Sequence, residues 1–227
     1  MSGRTTAEHI DWIEADSGEF AAVLDATRLD ARVPGCPDWS LRDLAWHLGN
    51  VQRFWARAVR AGADEPPDQF GDPVPPASLA IAPWMRESTA ELLDALRAAH
   101  PATPAWVWWR DDRTVGAIAR HQVQEAAVHR WDAQSAAGSP EPIASDVADD
   151  GVDEFVWLAR QLRDPVPIMF VATDSGRSFP VSDSATAVRV SGTASDLVLC
   201  CYQRVPASAV TVEGDAAVLD AFLLPVG

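Results

Sequence analysis

The feature that most constrains the fold is the stretch from Arg113 to Gly138, which is rich in Ala, Gln, Glu and Arg. These residue types favour an α-helix, and the Gly-Ser-Pro sequence at its end is typical of a helix C-terminus. The stretch therefore predicts a long helix over residues 113–138. An apolar stripe along one side predicts the face that packs against the protein, and it consists of Val115, Ala119, Val123, Ala127 and Trp131.

On the opposite side of this helix, His121, Glu125 and His129 fall on one stripe, because residues four apart lie on successive turns. A carboxylate and an imidazole at this spacing can both reach one divalent ion. His121 and His129 cannot bind the same ion, since they lie roughly 12 Å apart along the axis and a metal bond is about 2 Å long. The spacing predicts a metal pair of either His121 with Glu125 or Glu125 with His129, completed from another helix. The alternative is a solvated polar face.

Composition narrows the class of protein. The chain has 227 residues, 48% of them hydrophobic and 22% charged, which is typical of a soluble globular protein with one large or two small domains. A net charge of −15 argues against sequence-independent binding to nucleic acid or to an anionic membrane. No apolar run is long enough to span a membrane, and the N-terminal residues lack a secretion signal, so we expect a cytoplasmic protein.

Residue usage adds two expectations. All 18 basic residues are Arg, which together with the many Ala residues is typical of a GC-rich bacterial coding sequence. The three cysteines do not make a disulfide framework or a zinc ribbon. Any metal ligands are therefore expected to be His and carboxylate side chains.

Three further helices are predicted before residue 113, over residues 5–31, 41–62 and 78–100. Ser40 and Asp43 form a predicted capping pair for the second of these, and Gly62 is placed to end it. Residues 33–40 and 63–77 are dense in Pro and Gly and predict a break and a long surface connection. His47 lies on the apolar face of the second helix, either as a metal ligand facing the fourth helix or as a hydrogen-bonded core histidine.

Three tryptophans, Trp106, Trp108 and Trp109, lie together in the connection before the fourth helix. Indole rings combine a large apolar surface with one polar N–H group. The group is therefore either a satellite core or the wall of a ligand pocket.

After Gly138 the pattern changes to short helices and strands. We predict helices over 146–162, 194–205 and 214–224, with Thr193 capping the second, and strands over 167–173, 177–181, 186–192 and 210–213. The predicted fold class is α+β, mostly α: an N-terminal four-helix bundle over residues 1–140, followed by a small α+β domain over residues 141–227.

Two segments together resemble a known family. VPGCPDWSLRDLAWHLG and RHQVQEAAVHRWDAQSAAG resemble the second and fourth helices of the mycothiol-dependent maleylpyruvate isomerase family, whose N-terminal domain is a DinB-like metal-binding four-helix bundle. The later segments DGVDEF, SGTASDLVLCCYQR and VEGD resemble the sterol-carrier-like C-terminal domain of that family. The resemblance covers nearly the whole chain.

The resemblance implies a zinc site made by His47, Glu125 and His129, with an open fourth position of the kind that catalytic zinc sites keep. It makes His121 a pocket residue beside the site. Arg204 matches an Arg that the C-terminal domain of the family lends to the active site, where it would hold a substrate carboxylate; the alternative is a surface Arg. Trp106 and Trp109 are the candidate residues for contact with mycothiol.

The function that the resemblance implies is a zinc-dependent enzyme that uses the mycothiol thiolate as nucleophile on a small electrophile, as an S-transferase or a cis-trans isomerase. One alternative is a hydrolase with metal-activated water, in which His121 serves as general base. Another is a non-catalytic protein that binds a small ligand and keeps a vestigial metal site. The expected partners are a small thiol and an electrophile, and the expected state is a monomer or homodimer.

Overall fold

The computed structural model describes residues 3–63, 66–67, 74–162, 164 and 166–223. It divides into two compact units, one comprising Arg4–Glu141 and the other starting at Pro142. The fold class predicted from the sequence, α+β and mostly α, is confirmed. The connection predicted over 63–77 lies partly outside the described residues. Within the described ranges, none of the helices has the length and apolarity that are needed to cross a bilayer.

The first unit is a bundle of four helices: α1 (Thr6–Ala26), α2 (Leu41–Ala61), α3 (Ile81–Ala98) and α4 (Val115–Ala136). Helices α1 and α2 each pack against both α3 and α4, which places α1 and α2 at opposite corners of the bundle. Apolar side chains from these helices fill the space between them. The largest fully buried ones include Phe20, Leu44, Leu48, Met85 and Leu92.

The capping signals of α2 act as predicted. The Ser40 hydroxyl accepts a hydrogen bond from the Asp43 backbone N–H at 3.3 Å, and the Asp43 carboxylate accepts one from the Ser40 backbone N–H at 2.9 Å. This reciprocal pair satisfies backbone N–H groups that have no partner inside the helix. Gly62 follows the last turn with φ of 89°, a conformation that residues with a Cβ rarely adopt. The sequence therefore determines both ends of α2 locally.

The predicted break over residues 33–40 is instead a β-hairpin. Strands β1 (Arg32–Val33) and β2 (Cys36–Ser40) pair antiparallel on either side of Pro34 and Gly35. The first helix ends at Ala26 rather than at 31, and backbone hydrogen bonds join Leu41 to Ala31 and Arg42 to Leu29. The sequence does not predict this short strand pair, because Pro and Gly at the bend are compatible with both a loop and a hairpin.

Helices α2 and α3 approach each other closely at Gly49. A Cβ atom at this position would overlap the ring of Trp84, which lies over the glycine. The Trp84 ring stacks on Trp46 with centroids 4.5 Å apart, and the Arg53 guanidinium lies 5.0 Å from its centroid. A glycine here lets a large aromatic ring occupy the helix interface.

Polar side chains inside the bundle join three of its helices. The buried Gln52 amide on α2 donates to the Ser17 hydroxyl on α1 at 3.0 Å and accepts from the Thr89 hydroxyl on α3 at 2.8 Å. Because a buried amide without partners is costly, these two hydrogen bonds favour one relative placement of the three helices.

Among its described residues, the second unit combines a four-stranded sheet with three α-helices. The order of its strands is β4 (Ser178–Pro180), β3 (Ile168–Ala172), β5 (Val188–Gly192) and β6 (Thr211–Glu213), with a parallel central pair and antiparallel edges. Buried residues alternate along β3, so one face of the strand is apolar. Helices α5 (Ser145–Leu162), α6 (Ala194–Cys201) and α7 (Ala216–Phe222) pack against this sheet. The helix predicted over 214–224 reaches beyond the described residues.

Helix α6 begins as predicted and ends earlier than predicted. The Thr193 hydroxyl accepts a hydrogen bond from the Asp196 backbone N–H at 3.1 Å, which is the expected cap. The helix stops at Cys201 because Gln203 adopts a left-handed conformation with φ of 57°. The Arg204 backbone N–H then bonds the Leu199 carbonyl at 2.8 Å, the geometry of a Schellman motif. Arg204 therefore lies beyond the helix and not on it.

Candidate metal centre

The bundle brings together the three side chains that the resemblance implies as metal ligands. His47 comes from α2, and Glu125 and His129 come from successive turns of α4. One ligand atom from each lies within 4.8 Å of the others. His129 Nε2 is 3.4 Å from Glu125 Oε2, and the rings of His47 and His129 meet edge to face with centroids 5.1 Å apart. We call these three residues the ligand cluster.

The position of the ligand cluster follows from the packing of α2 against α4. A spacing of four residues places Glu125 and His129 one above the other on α4, and the contact between the two helices places His47 opposite them. His129 is nearly buried, with 7% of its side chain exposed, while Glu125 keeps 27% of its side chain accessible. The cluster thus has a closed side within the bundle and an accessible side at Glu125.

A carboxylate outside the ligand cluster fixes the orientation of His129. Nδ1 of His129 lies 3.0 Å from Oδ2 of Asp132, whose side chain is completely buried. This leaves the other ring nitrogen, Nε2, directed toward Glu125. Asp132 belongs to the stripe of α4 that contains the candidate ligands, but its spacing alone indicated no role for it. The signal was present as an acidic residue three positions after a candidate histidine ligand.

Trp39 of strand β2 forms a wall beside the ligand cluster. Its ring centroid lies 4.8 Å from that of His47, and the side chain is partly buried. The hairpin that was missed in the sequence is what brings Trp39 to this place, because β2 leads directly into α2. Periodicity in the sequence does not predict this position for Trp39, because it depends on the hairpin.

Charged and hydrogen-bonding groups around the ligand cluster shift the pKa values of His129 and Glu125. Burial lowers the pKa of His129, but its hydrogen bonds to Asp132 and Glu125 and the charges of both carboxylates outweigh burial and raise the pKa to about 9. Burial raises the pKa of Glu125, but the hydrogen bond and charge of His129, together with His47 and His121, outweigh it and lower the pKa to about 2. Without a metal ion, these neighbours stabilise a proton on His129, and a bound cation would take the place of that proton.

The residues present fit a zinc ion chemically. Two imidazoles and one carboxylate form a set of three ligands that is found in catalytic zinc sites, where a fourth position takes water or substrate. The hydrogen bond from Nδ1 of His129 to a carboxylate is the arrangement that commonly orients a metal-binding histidine. Among the described residues, only His47, Glu125 and His129 form a group of this kind.

His121 lies in different surroundings two turns earlier on α4. Its buried ring is surrounded by Trp55, Trp108 and Trp109, with centroids 5.7, 5.7 and 5.1 Å away. We call these three tryptophans the indole cluster. His121 is not part of the ligand group, although its charge contributes to lowering the pKa of Glu125. The structure therefore separates the two candidate metal pairs and brings only the second one together with His47.

The three tryptophans in the connection before α4 differ in exposure; they are Trp106, Trp108 and Trp109. Trp109 is buried, with 3% exposure, and donates its indole N–H to the Asp112 carbonyl at 3.1 Å. Trp106 is partly buried against Phe54 and Trp55. Trp108 keeps 45% of its surface exposed. The burial of Trp109 favours the satellite-core alternative for that residue, while the exposed face of Trp108 can contact a ligand.

Two family models match the chain. The model described as the mycothiol maleylpyruvate isomerase N-terminal domain matches residues 11–134, which is more than half of the chain. The chain belongs to the mycothiol maleylpyruvate isomerase family. The model of the C-terminal domain of this family matches residues 117–221, and the two matches overlap along α4.

Solved structures of the family share this fold. The crystal structure of the mycothiol-dependent maleylpyruvate isomerase aligns with a TM-score of 0.72 at 13% identity, covering 92% of this chain and 93% of that one. A mutant of the same enzyme with a histidine changed to alanine aligns with the same TM-score at 12% identity and with the same coverage. No curated protein sequence gives a significant match.

Arg204, the remaining candidate from the family resemblance, lies in the second unit. The Schellman motif at the end of α6 fixes its backbone, and its side chain is partly buried. One guanidinium nitrogen, Nη1, donates a hydrogen bond to the Tyr202 carbonyl at 2.9 Å. The sequence analysis placed Arg204 in the last turn of a helix, and the structure instead places it after the helix end.

Proposed function

We propose that this chain is a zinc-dependent enzyme that uses mycothiol to act on a small electrophile, as an isomerase or an S-transferase. The observation that carries the proposal is the convergence of His47, Glu125 and His129, whose ligand atoms lie within 4.8 Å of one another in a chain of this family. The family is named for mycothiol, and the similar solved enzyme is mycothiol-dependent. A location in the cytoplasm and a monomeric or homodimeric state remain part of the proposal.

The residues of the ligand cluster would hold the zinc ion. The partly exposed Glu125 side chain lies on the side of the cluster that solvent can reach. A bound zinc ion supplies Lewis acidity, which lowers the pKa of a thiol enough to yield the nucleophilic thiolate near neutral pH. His47 and His129 would hold the ion from the bundle side, and the partly buried Trp39 ring covers one side of His47. The chain itself thus provides a partly buried site with ligands from two helices.

Two further residues of the first unit belong to the proposed site. His121 is a pocket residue, positioned by the indole cluster one turn before Glu125. Trp108 has an exposed aromatic face beside His121, which can contact an apolar or sugar surface of the bound molecules. From the sequence, Trp106 and Trp109 were the candidates for this role. For Arg204 of the second unit, the role implied by the family resemblance is to hold a substrate carboxylate through its guanidinium.

Isomerisation and S-transfer differ in what happens to the thiol. An isomerase returns the thiol unchanged after each turnover, whereas an S-transferase consumes one thiol for each product molecule. The names of the two similar structures support isomerisation for this chain. The ratio of thiol consumed to product formed therefore identifies the reaction.

The experiment is an assay of the zinc-loaded chain with mycothiol and maleylpyruvate, with the His129→Ala variant as control. We expect turnover that requires both zinc and thiol and that is absent from the variant. Turnover without thiol would support the hydrolase alternative with metal-activated water. Zinc-loaded protein that neither binds mycothiol nor acts on any electrophile would contradict the proposal and favour a binding protein.

A further inference from the structure

Asp132 and His129 form a buried polar pair inside a single helix. The Nδ1 to Oδ2 distance is 3.0 Å, no part of the Asp132 side chain is exposed, and 7% of the His129 side chain is exposed. A spacing of three residues lets both groups meet on the same side of α4 without help from another element. Both partners of the pair are therefore supplied by α4 itself.

This contact decides which ring nitrogen of His129 is available to a metal ion. A carboxylate oxygen only accepts hydrogen bonds, so Nδ1 carries the proton in this pair. The lone pair that can bind a cation is then on Nε2, which is the nitrogen 3.4 Å from Glu125. If Nδ1 lost this partner, the ring could rotate or change tautomer, and Nε2 would no longer be held toward Glu125 and His47.

The other histidine on this stripe of α4 provides a comparison. Three residues after His121 the chain has Gln124, a neutral amide, where three residues after His129 it has a carboxylate. His121 is packed among indole rings and lies outside the ligand cluster. A carboxylate at the third position thus accompanies the one histidine of α4 that belongs to the ligand cluster.

We propose that Asp132 is a positioning residue for the metal centre, which fixes the tautomer and ring orientation of His129 so that Nε2 faces Glu125 and His47. The inference rests on the proposed zinc site and adds a residue that does not itself contact the ion. A carboxylate partner also makes the imidazole a stronger donor. Loss of such an outer partner typically weakens metal binding by about 10- to 100-fold.

The test measures zinc affinity of the full chain by competition with a chelator, for the unchanged protein and for Asp132→Asn and Asp132→Ala. We expect Asp132→Ala to weaken binding by about 10- to 100-fold. Asp132→Asn should fall between the two, because the amide oxygen still accepts the hydrogen bond but lacks the negative charge. Equal affinities of the unchanged protein and both variants would overturn the inference.

A matched control is Asp16→Asn, which also changes a largely buried carboxylate that contacts α4. Asp16 accepts a hydrogen bond from Arg130 Nε at 2.8 Å and does not belong to the ligand group. We expect its zinc affinity to equal that of the unchanged protein, whatever its effect on unfolding. A loss of affinity as large as that of Asp132→Asn would show a general response to buried charge and would overturn the specific role of Asp132.

A second readout uses histidine ¹⁵N chemical shifts of the zinc-loaded, unchanged protein, and it does not depend on the folding of a variant. We expect His129 to carry its proton on Nδ1 and to bind zinc through Nε2. Zinc bound through Nδ1 would overturn the inference. If the unchanged protein binds no zinc at all, the proposed metal site fails, and this result is distinct from a protein that binds zinc equally well with and without Asp132.

Discussion

Helix α4 contains two histidines on one stripe, and they lie in surroundings of opposite character. His129 is held between the carboxylates of Asp132 and Glu125 and faces His47, while His121 is enclosed by the indole cluster. The two residues have the same type and lie on the same helix, about 80° apart around its axis. The difference comes from their neighbours. His129 faces a histidine of α2 and a carboxylate of α4, whereas His121 faces tryptophans from α2 and from the connection before α4. The neighbouring residues, and not the position on the stripe, thus decide which histidine is a candidate metal ligand.

The largest expected effect is on zinc binding when the two histidines are removed one at a time. His129→Ala removes a ligand, so we expect its zinc affinity to fall by more than the roughly 100-fold upper range for residues outside the ligand set. His121→Ala should bind zinc as the unchanged protein does. Chelator competition measures both. If His121→Ala lost zinc to the same extent as His129→Ala, the contrast between the two surroundings would be wrong.

A second prediction concerns packing in the indole cluster. Trp109→Ala should lower the free energy of unfolding by about 3–5 kcal/mol, because it empties the space of a buried aromatic ring. Trp108→Ala is the control, since its exposed ring should cost about 1 kcal/mol or less. Denaturant unfolding measures both, and zinc stoichiometry should not change. Similar small losses in the two variants would mean that this region is not a core.

A third prediction uses a residue outside both regions of α4. Arg204→Ala should raise KM for a carboxylate-bearing electrophile by about 10- to 100-fold, because a hydrogen bond between charged groups contributes about 1.5–3 kcal/mol. Zinc affinity should stay the same, since the predicted role of Arg204 is in substrate binding. Steady-state kinetics with an electrophile that lacks the carboxylate is the control. An equal change in KM for both electrophiles would point to a structural role.

The smallest expected effect is the pH dependence of stability without zinc. The pKa of His129 is raised from 6.5 to about 9, so its contribution is fully present below pH 6.5 and is lost as the pH rises through 9. The pKa of Glu125 is lowered from 4.5 to about 2, so its contribution is present above pH 4.5 and is lost as the pH falls toward 2. We expect changes of about 1–3 kcal/mol, because one pKa unit corresponds to about 1.4 kcal/mol and the shifts of the two groups share one interaction.

The measurement is denaturant unfolding of the chelator-treated protein between pH 6 and pH 10. His129→Ala should remove the loss of stability on the alkaline side, and His121→Ala should keep it. An unchanged alkaline slope in His129→Ala would show that another group carries the dependence.

Local signals in the sequence predicted much of the fold. Helix ends at Ser40, Gly62 and Thr193 follow from hydrogen bonds and backbone conformations that involve only a few neighbouring residues. The four helices of the bundle follow from periodicity in the same way. The hairpin over 32–40 was missed because its pairing involves few residues, and Pro and Gly in the segment favour an irregular loop equally well.

The candidate site was less accessible to sequence reasoning. Spacing on α4 allowed two metal pairs and could not choose between them, because the choice depends on which histidine α2 approaches. The family resemblance supplied that choice through His47, and the structure brings the three residues together. Trp39 was not identified because it reaches the site through tertiary contacts, whereas Asp132 was visible by its spacing but had no assigned role.

Metal analysis of the purified chain and of its His47→Ala variant tests the central hypothesis most directly, because His47 is the one proposed ligand that comes from a different helix. The account predicts about one zinc ion per chain in the unchanged protein, and loss of the ion in His47→Ala with the helical circular dichroism signal retained. Stoichiometric zinc in the His47→Ala variant would contradict it.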